Sequence, residues 1–326
     1  MPVETGFRMR LAAVAILALA VTGAARDYEG TFDRTLKVSG PVDMDVTTGS
    51  GDINVRTGGA GSVWVRGTIH VSRSVGAEDA AQKIQELIKN PPILQNGNRV
   101  RIGRSEYSSL LRNVSISYEV TVPSDTNLHS ETGSGDQSVE GLRGQVSANA
   151  GSGNIRMTKL ESGARAETGS GDIDLAFITG MVYTETGSGN IQASRVSGAI
   201  RAHAGSGDMK LEQSAKGPID VETGSGNVEI RGAEGALRAV AGSGDITARG
   251  MPGDDWKFET GSGSVTLMLS PQAGFSLNAR TGSGSIESRV AITVQGKAVR
   301  NELRGVAGTG GALVSIRTGS GDIRIE

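Results

Sequence analysis

A tripeptide, Gly-Ser-Gly, recurs through this chain at a nearly constant spacing, and the repeat constrains the fold more than any other feature. The eleven copies begin at residues 49, 133, 151, 169, 187, 205, 224, 242, 261, 282 and 319. From 133 to 261 successive copies are 18 or 19 residues apart. A unit of this length cannot bury an apolar face by itself, so neighbouring units must stack to form a shared core.

Each repeat unit contains two short stretches in which apolar and polar residues alternate, the pattern of β-strands with one buried face. Aligned units give one inward column after each tripeptide, one after a second glycine, and one of small residues directly before the next tripeptide. The columns are Ile155, Ile173, Ile191, Met209, Val228, Ile246, Val265 and Ile286; Val146, Ala164, Val182, Ile200, Ile219, Leu237 and Trp256; and Thr168, Thr186, Ala204, Thr223, Ala241 and Thr260. The small residues predict a core that narrows towards one corner.

These stacked units predict an all-β fold, a parallel β-solenoid (β-helix) with about 18 residues per coil. Successive coils lie about 4.8 Å apart, so about ten coils make a rod of roughly 50 Å. Right-handed coiling is the default for parallel crossovers. A single apolar residue between the two strands predicts a short third side, where Leu142, Leu160, Ile178, Val196 and Met251 stand.

The tripeptide corners predict a turn ladder along the rod. Its members are Ser134, Asp136, Ser152, Asn154, Ser170, Asp172, Ser188, Asn190, Ser206 and Asp208. Two unit charges one coil apart repel by about 1 kcal/mol in water, and alternating Asp with Asn doubles the distance between carboxylates. The serine hydroxyls are expected to bond turn amides, with a polar stripe for glycans or peptidoglycan as the alternative. Lys210 and Glu212 also face Glu229 and Arg231, which have opposite charges.

The repeat is interrupted between Gly51 and Gly133 by an α+β insertion near the N-terminus. The segment 77–89 places apolar residues on one helical face, and 62–72 and 115–123 alternate like strands. We expect this insertion to cap one end of the stack. The predicted domains are a signal peptide at 1–25, first strands and insertion at 26–125, and the solenoid at 126–326.

The other end of the chain closes on a coil without a polar cap in the sequence. Either the preceding loop, about 287–312, folds over this end, or a second molecule pairs with it in end-to-end self-association.

The N-terminus has the pattern of a secretory signal. Arg8 and Arg10 precede the apolar run 11–21 and the small residues TGAA, which predicts cleavage after Ala25 and export to the periplasm or cell surface. An uncleaved anchor is the alternative, and we expect no membrane span in the mature chain. With no cysteine, disulfides do not stabilise the fold. The net charge of −2 gives no electrostatic reason to expect nucleic acid or an acidic membrane as partner.

The stretch SYEVTVPSDTNLHSETGSGD, the repeated GSGDI and the closing SIRTGSGDIRIE resemble the bacterial putative-adhesin family. Its members are exported β-strand-repeat proteins grouped as a domain of unknown function. The resemblance covers roughly residues 40–326. It implies a β-helical fold and an envelope or surface location, and it carries no catalytic residues to transfer. Gln137 departs from the pattern, since its column otherwise holds Ile, Met or Val.

One outward column could carry chemistry, because Glu185, His203 and Glu222 are successive members of it. A Glu-His-Glu row could titrate or hold a metal, but on an exposed strand such a row is usually a set of solvated ion pairs. A phosphate loop is disfavoured because a strand, not a helix, follows each Gly-Ser-Gly. We expect no cofactor.

The sequence therefore predicts an exported, non-enzymatic envelope or surface β-solenoid that acts as an adhesin or structural binding scaffold. Its expected partner is a glycan, a cell-wall polymer or a surface protein. The alternative is a carbohydrate-active enzyme, a polysaccharide lyase or hydrolase, built on the same β-helix.

Overall fold

The computed structural model describes residues 28–103, 110–295 and 299–326. Within these residues there is one helix, α1, which spans Ala77–Lys89, as predicted. The first strands are β1 (Tyr28–Lys37), β2 (Val42–Ser50), β3 (Ile53–Thr57), β4 (Ser62–Val71), β5 (Ile93–Asn96), β6 (Arg99–Ile102), β7 (Val114–Val122), β8 (Thr126–Ser134), β9 (Gln137–Glu140), β10 (Val146–Ser152), β11 (Ile155–Leu160), β12 (Ala164–Ser170), β13 (Ile173–Thr179), β14 (Val182–Ser188) and β15 (Ile191–Ser197). The remaining strands are β16 (Ile200–Ser206), β17 (Met209–Ala215), β18 (Ile219–Ser225), β19 (Val228–Ala233), β20 (Leu237–Ser243), β21 (Ile246–Gly250), β22 (Trp256–Ser262), β23 (Val265–Leu269), β24 (Phe275–Ser283), β25 (Ile286–Ser288), β26 (Ile292–Val294), β27 (Glu302–Ala307), β28 (Ala312–Ser320) and β29 (Ile323–Ile325).

The predicted signal segment 1–25 lies outside the described residues. Among the residues that the structure does describe, no helix is long and apolar enough to cross a bilayer.

The strands form two sheets that enclose one core. In the described part of the chain, sheet A has 14 strands and contains those that follow each Gly-Ser-Gly. Sheet B has 15 and contains those that end in it. Between β8 and β23 each strand pairs in parallel with the corresponding strand of the next coil, with Ser152 opposite Ser134 and Ser170 opposite Ser152. Twelve strand pairs stack from β6 and β7 to β24 and β25, which makes a rod of about 53 Å. The predicted β-solenoid is confirmed.

The core lies between the sheets and is filled by the predicted inward columns. Trp256 is 1% exposed, donates its indole N–H to the Gly235 carbonyl at 2.9 Å, and meets Phe258 edge to face. The residues expected on a short third side are buried at Leu142, Leu160, Ile178 and Val196. The prediction is wrong for Met251, which is 44% exposed. A register shift between β19 and β21 places Gly250, not Met251, opposite the buried Ala233, and Pro252 is the next buried residue.

At the N-terminal end the coils do not stack in chain order. β6 pairs with β2, and β7 pairs with β3, so the coil made by the insertion lies outside the first coil of the chain. The antiparallel strands β1 and β4 and the hairpin of β5 and β6 extend the two sheets. Helix α1 packs on β1, where Gly30 leaves room for the Ile84 side chain. The domain boundary at 125/126 stays a prediction, and both sheets run continuously past it.

At the C-terminal end the last coil of the chain is not the last coil of the stack. β28 pairs with both β22 and β24, and β29 pairs with both β23 and β25. The segment that precedes β28 folds back, so that β27 and β26 add antiparallel strands beyond β24. The preceding loop therefore folds over the end of sheet B, the first of the two predicted alternatives, and β26 becomes the edge of that sheet. β25 forms the edge of sheet A, and end-to-end self-association stays a prediction.

Candidate functional site

The Gly-Ser-Gly corners are built by close contact between backbones of adjacent coils. Gly207, the second glycine of its copy, has φ +142°, and a Cβ on it would overlap the carbonyl oxygen of Gly189 one coil away. A Cβ on Gly205, the first glycine, would lie 2.5 Å from the Gly187 oxygen. Both glycines are thus required by stacking as well as by the bend, and the corner has the geometry of a structural turn rather than a phosphate loop.

The ladder residue after each corner joins consecutive coils through its side-chain oxygen. The backbone N–H of Asn154 donates to Asp136 Oδ1 at 2.8 Å, that of Asp172 to Asn154 Oδ1 at 2.9 Å, and that of Asn190 to Asp172 Oδ1 at 2.7 Å. Asn accepts this bond as well as Asp does, which explains how alternation can separate the charges without loss of a bond. The insertion places Asp52 directly beside Asp136, where the alternation fails.

The serine hydroxyls of the corners lie on the exposed surface. The bonds between corners run through the backbone instead: Gly135 N donates to the Ser152 carbonyl at 3.0 Å, and Gly153 N donates to the Ser170 carbonyl at 2.9 Å. At these serines the backbone carbonyl accepts from a glycine N–H of the adjacent coil. This bond takes the place of the expected bond between the hydroxyl and a turn amide.

A polar groove of 810 Å³ runs along sheet A beside the ladder, and we call it the ladder groove. Its outward side chains are Asp52, Asn54, Asp136, Ser138, Asn154, Arg156, Asp172, Asp174, Asn190, Gln192, Asp208 and Lys210. Arg156 and Asp174 form an ion pair at 3.1 Å. Lys210 stacks on Glu229 as predicted, but Glu229 is paired with Arg231 of its own strand. Within the described residues Lys210 has no ion-pair partner.

A second groove, of 550 Å³, lies on the outer face of sheet B where its strands begin. The side chains along it include Asp43, Asp45, Arg99, Arg101, Asn127, His129, Arg165, Met181 and Tyr183. The Arg165 guanidinium lies over the Tyr183 ring, 4.3 Å from its centroid, and also forms an ion pair with Glu167. Tyr183 donates its hydroxyl to Glu185 at 2.7 Å, and this bond raises the pKa of the phenol.

The structure brings Glu185, His203 and Glu222 into one row, as the register predicts. His203 Nε2 lies 3.9 Å from Glu222 Oε2, and both side chains are nearly half exposed. Each carboxylate has another partner, because Glu185 accepts from Tyr183, and Glu222 lies 3.4 Å from the Arg238 guanidinium. Among the described residues no group of three His, Cys, Asp or Glu could hold a metal. The row is exposed, with Glu185 hydrogen-bonded to Tyr183 and Glu222 ion-paired with Arg238.

Sequence reasoning missed a second line of unusual residues at the opposite corner, where sheet A passes to sheet B. Lys159, Phe177 and Arg195 occupy one position in three consecutive coils and have φ of +56°, +59° and +53°. Left-handed conformations cost an L-residue about 1–2 kcal/mol. The same position holds Gly141 and Gly232 in other coils, so aligning the units on this glycine would have located the three residues.

Comparison with known proteins places the chain in a family of solenoids. Three crystal structures are similar to it over 91% of its length and 97–99% of theirs: a putative cell adhesion protein from Clostridium sporogenes ATCC 15579 (11% identity, TM-score 0.20), a putative adhesin from Bacteroides fragilis NCTC 9343 (14%, 0.29) and a putative lipid binding protein from Parabacteroides distasonis ATCC 8503 (12%, 0.33). No curated protein matches. The Toastrack DUF4097 family matches residues 95–326. The predicted family resemblance is thus confirmed, and the chain belongs to the Toastrack DUF4097 family.

Proposed function

We propose that this protein is an exported, non-enzymatic scaffold of the bacterial cell envelope or surface that binds an extended glycan or cell-wall polymer. The ladder groove is the single observation that carries the proposal. It crosses six coils, from Asp52 to Asp208, and follows the axis of the rod. A groove that is long, polar and parallel to a repeating backbone fits a repeating polymer better than a small molecule.

The chemistry of the groove suits a hydroxyl-rich ligand. Each ladder carboxylate uses Oδ1 to bind the next coil, as Asp136 and Asp172 do, and its second oxygen remains an acceptor for a ligand hydroxyl. Neutral donors and acceptors line the side of the groove away from the ladder, at Asn54, Ser138 and Gln192. With five aspartates against Arg156 and Lys210, the groove favours a neutral or amine-bearing polymer over an acidic one.

The non-enzymatic part of the proposal is supported by the geometry of the one candidate row found among the described residues. In the exposed row, Glu185 is bonded to Tyr183 and Glu222 to Arg238, whereas acid–base catalysis on a glycoside needs two carboxyl groups placed on either side of the scissile bond. The protein therefore acts by many weak contacts along the rod.

A glycan array and a cell-wall pull-down with purified protein test the binding function. Saturable binding to one defined neutral or amine-bearing polymer is expected. Binding to none of the polymers, with capture of a surface protein instead, would assign the scaffold to a protein partner.

An alanine series along the groove tests the site, with Asn54, Arg156, Asp174, Gln192 and Lys210 changed one at a time. Each change is expected to weaken binding by less than about fivefold, or about 1 kcal/mol, because no single contact dominates. The same substitutions at Arg201 and Lys257 on sheet B are the matched control and should leave binding unchanged. Complete loss at one position would contradict the distributed mechanism.

The carbohydrate-active enzyme is tested separately by incubating the bound polymer with the protein and measuring released fragments. No release is expected. Release that disappears in Glu222→Gln or His203→Ala would overturn the non-enzymatic assignment and make that row the active site.

Export is tested by cell fractionation and N-terminal sequencing of the accumulated protein. We expect envelope or extracellular material that begins at Arg26. Cytoplasmic protein with an intact N-terminus would contradict it.

A further inference from the structure

The row formed by Lys159, Phe177 and Arg195 points to a second interaction surface, at the corner opposite the ladder. All three side chains are exposed, while the residue after each one, as with Ile178 after Phe177, is buried. The side chain at the left-handed position therefore projects outward from a convex edge of the rod. Glycine satisfies the same turn in coils on either side, at Gly141 and Gly232.

Folding alone does not explain why these three coils avoid glycine. Bulky residues with φ near +55° are strained, and an observed strain of this kind supports a hypothesis of function. Phe177 leaves 49% of its surface exposed, so core packing does not offset the strain. What the three residues provide is an aromatic ring at the outermost point of the corner, with one cation in the coil before it and one in the coil after it.

The surroundings of Phe177 are amphipathic. Arg195 stacks its guanidinium 4.8 Å from the centroid of the Phe177 ring and, within the described part of the chain, has no ion pair. Lys159 lies on the other side, bound to Glu140 at 2.7 Å. Met181, four residues after Phe177 in the same turn, is 54% exposed. An apolar tip bracketed by cations is thus fixed on the rod.

We propose that this corner is a docking site for an anionic phospholipid surface, with Phe177 and Met181 entering the headgroup layer and Arg195 and Lys159 contacting lipid phosphates. A convex edge cannot enclose a small ligand, whereas a deformable headgroup layer accepts a protruding ring. Cations beside the inserted residues add electrostatic attraction to an acidic bilayer. The net charge of −2 describes the whole chain, whereas at this corner Arg195 is on the Phe177 ring and is not ion-paired with any described carboxylate. The site is independent of the ladder groove and extends the proposed function from polymer binding to membrane contact.

Vesicle sedimentation tests the site with protein recovered from the cell envelope. Wild type should bind phosphatidylglycerol-containing vesicles at low ionic strength and pure phosphatidylcholine vesicles much more weakly. Phe177→Gly should lower the partition coefficient roughly tenfold, the value expected from losing one partly buried aromatic side chain. The double variant Lys159→Gly, Arg195→Gly should remove the preference for acidic vesicles. All variants share one N-terminus, so differences between them report on the corner.

The stability of the glycine variants separates docking from a structural role. Because glycine adopts φ > 0 without strain, Phe177→Gly should have a thermal midpoint equal to or above that of wild type. The control variant Leu313→Ala, Arg289→Ala removes a similarly exposed apolar residue and a cation at the C-terminal end, and should bind vesicles like wild type.

Three results would overturn the proposal: no binding of wild type to acidic vesicles, equal binding by Phe177→Gly, or a lower thermal midpoint for that variant. If wild type does not bind acidic vesicles, the expected partner of this corner becomes a protein whose binding pocket has acidic residues at its rim. Loss of polymer binding in the ladder-groove variants is measured separately, so failure of one site is distinguishable from failure of the other.

Discussion

At the scale of single residues, the repeat is explained by contacts between equivalent atoms in adjacent coils. The glycines of Gly-Ser-Gly let the backbones of adjacent coils approach to one strand spacing. The side-chain oxygen of each ladder residue accepts from a backbone N–H of the next coil, as Asn190 Oδ1 does from Asp208. Threonines directly before the tripeptide are small enough for the narrow core, and their buried hydroxyls also donate to a glycine carbonyl one coil away, as Thr168 does to Gly153 and Thr260 to Gly244. The same residue therefore serves packing and inter-coil bonding.

Replacing Gly207 with alanine should be strongly destabilising. Its φ of +142° strains an L-residue, and the new Cβ would overlap the Gly189 oxygen. We expect a loss of at least about 3 kcal/mol in the free energy of unfolding, in the range of severe backbone substitutions. Chemical denaturation followed by circular dichroism measures it. Gly59→Ala is the matched control, because its Cβ would lie within 4 Å of no other described residue. Equal losses in both variants would contradict the stacking argument.

Replacing either of two threonines of β14 with valine should change the stability differently. Thr186 is 2% exposed and donates to the Gly171 carbonyl at 3.0 Å, so Thr186→Val should cost about 1 kcal/mol. Thr184 is fully buried and its hydroxyl has no partner among the described residues, so Thr184→Val should be neutral or stabilising. Thermal midpoints of the two variants give the comparison. A shift of the same sign and size in both would show that the hydrogen bond has no net effect.

Some residue-scale features could be predicted from the sequence and others could not. The inward columns and the small third column follow from alternation and repeat spacing alone. The hydrogen bonds do not, because they depend on which atoms face each other after stacking. Gln137 illustrates the difference: the sequence marks it only as an exception, whereas in the structure it is 1% exposed, accepts from Ser130 at 2.5 Å and donates to the Asn149 carbonyl at 2.6 Å.

At the scale of elements, the C-terminal strands are joined by two carboxylates whose charge matters. Asp322 of the β28–β29 turn accepts from the backbone N–H of Ser285 at 2.9 Å, and mainly this bond lowers the pKa of the carboxyl. Glu302 of β27 accepts from Arg280 of β24 at 2.9 Å, which lowers the pKa of Glu302. The Asp322 bond links the coil of β24 and β25 to the adjacent coil of β28 and β29, and the Glu302 bond links β27 to β24.

Acid should therefore loosen the C-terminal end before the middle of the rod. A carboxylate with a lowered pKa in the folded state stabilises above its unfolded pKa, about 3.9 for Asp and 4.3 for Glu, and loses this contribution as the pH falls through the folded value. Amide hydrogen exchange, corrected for intrinsic rates, should show protection in β24, β25 and β27 falling below about pH 4. Strands β14–β17 are the internal reference.

A double variant, Asp322→Asn with Glu302→Gln, checks this assignment. Both replacements keep an acceptor oxygen and remove a titratable carboxyl. The acid-dependent loss of amide protection at the C-terminal end should therefore be smaller. Loss of protection at the same pH along the entire rod, unchanged in the double variant, would place the acid sensitivity elsewhere.

At the scale of the whole molecule, the repeat spacing predicts that coils stack but does not determine their order at the ends. In the middle of the rod the connections between coils are so short that each coil can stack only on the coil that precedes it in the chain. At both ends longer segments, 58–125 and 289–311, allow a coil to be placed out of chain order. Regular repeats with identical corners are equally able to stack in either order, so the choice depends on how the connecting segments pack.

Deleting residues 312–326 should consequently destabilise more than the segment removed. In the intact protein β28 and β29 lie between β22 and β23 on one side and β24 and β25 on the other. Without them, 275–307 loses its parallel partners and must either detach or move by one coil onto β22 and β23. Detachment is expected, because the deletion also removes Asp322, whose carboxylate accepts from the Ser285 backbone N–H, and the β22–β23 corner offers only Ser264 in its place.

Hydrogen exchange on the truncated protein should show loss of protection throughout 275–307, while β8–β20 keep the protection of the intact chain, since each repeat contacts only its neighbours. Retention of protection in β24 and β25 would mean that this coil re-stacks directly on β22 and β23. The inserted C-terminal coil would then be dispensable, and the order of coils at this end would be a product of chain connectivity alone.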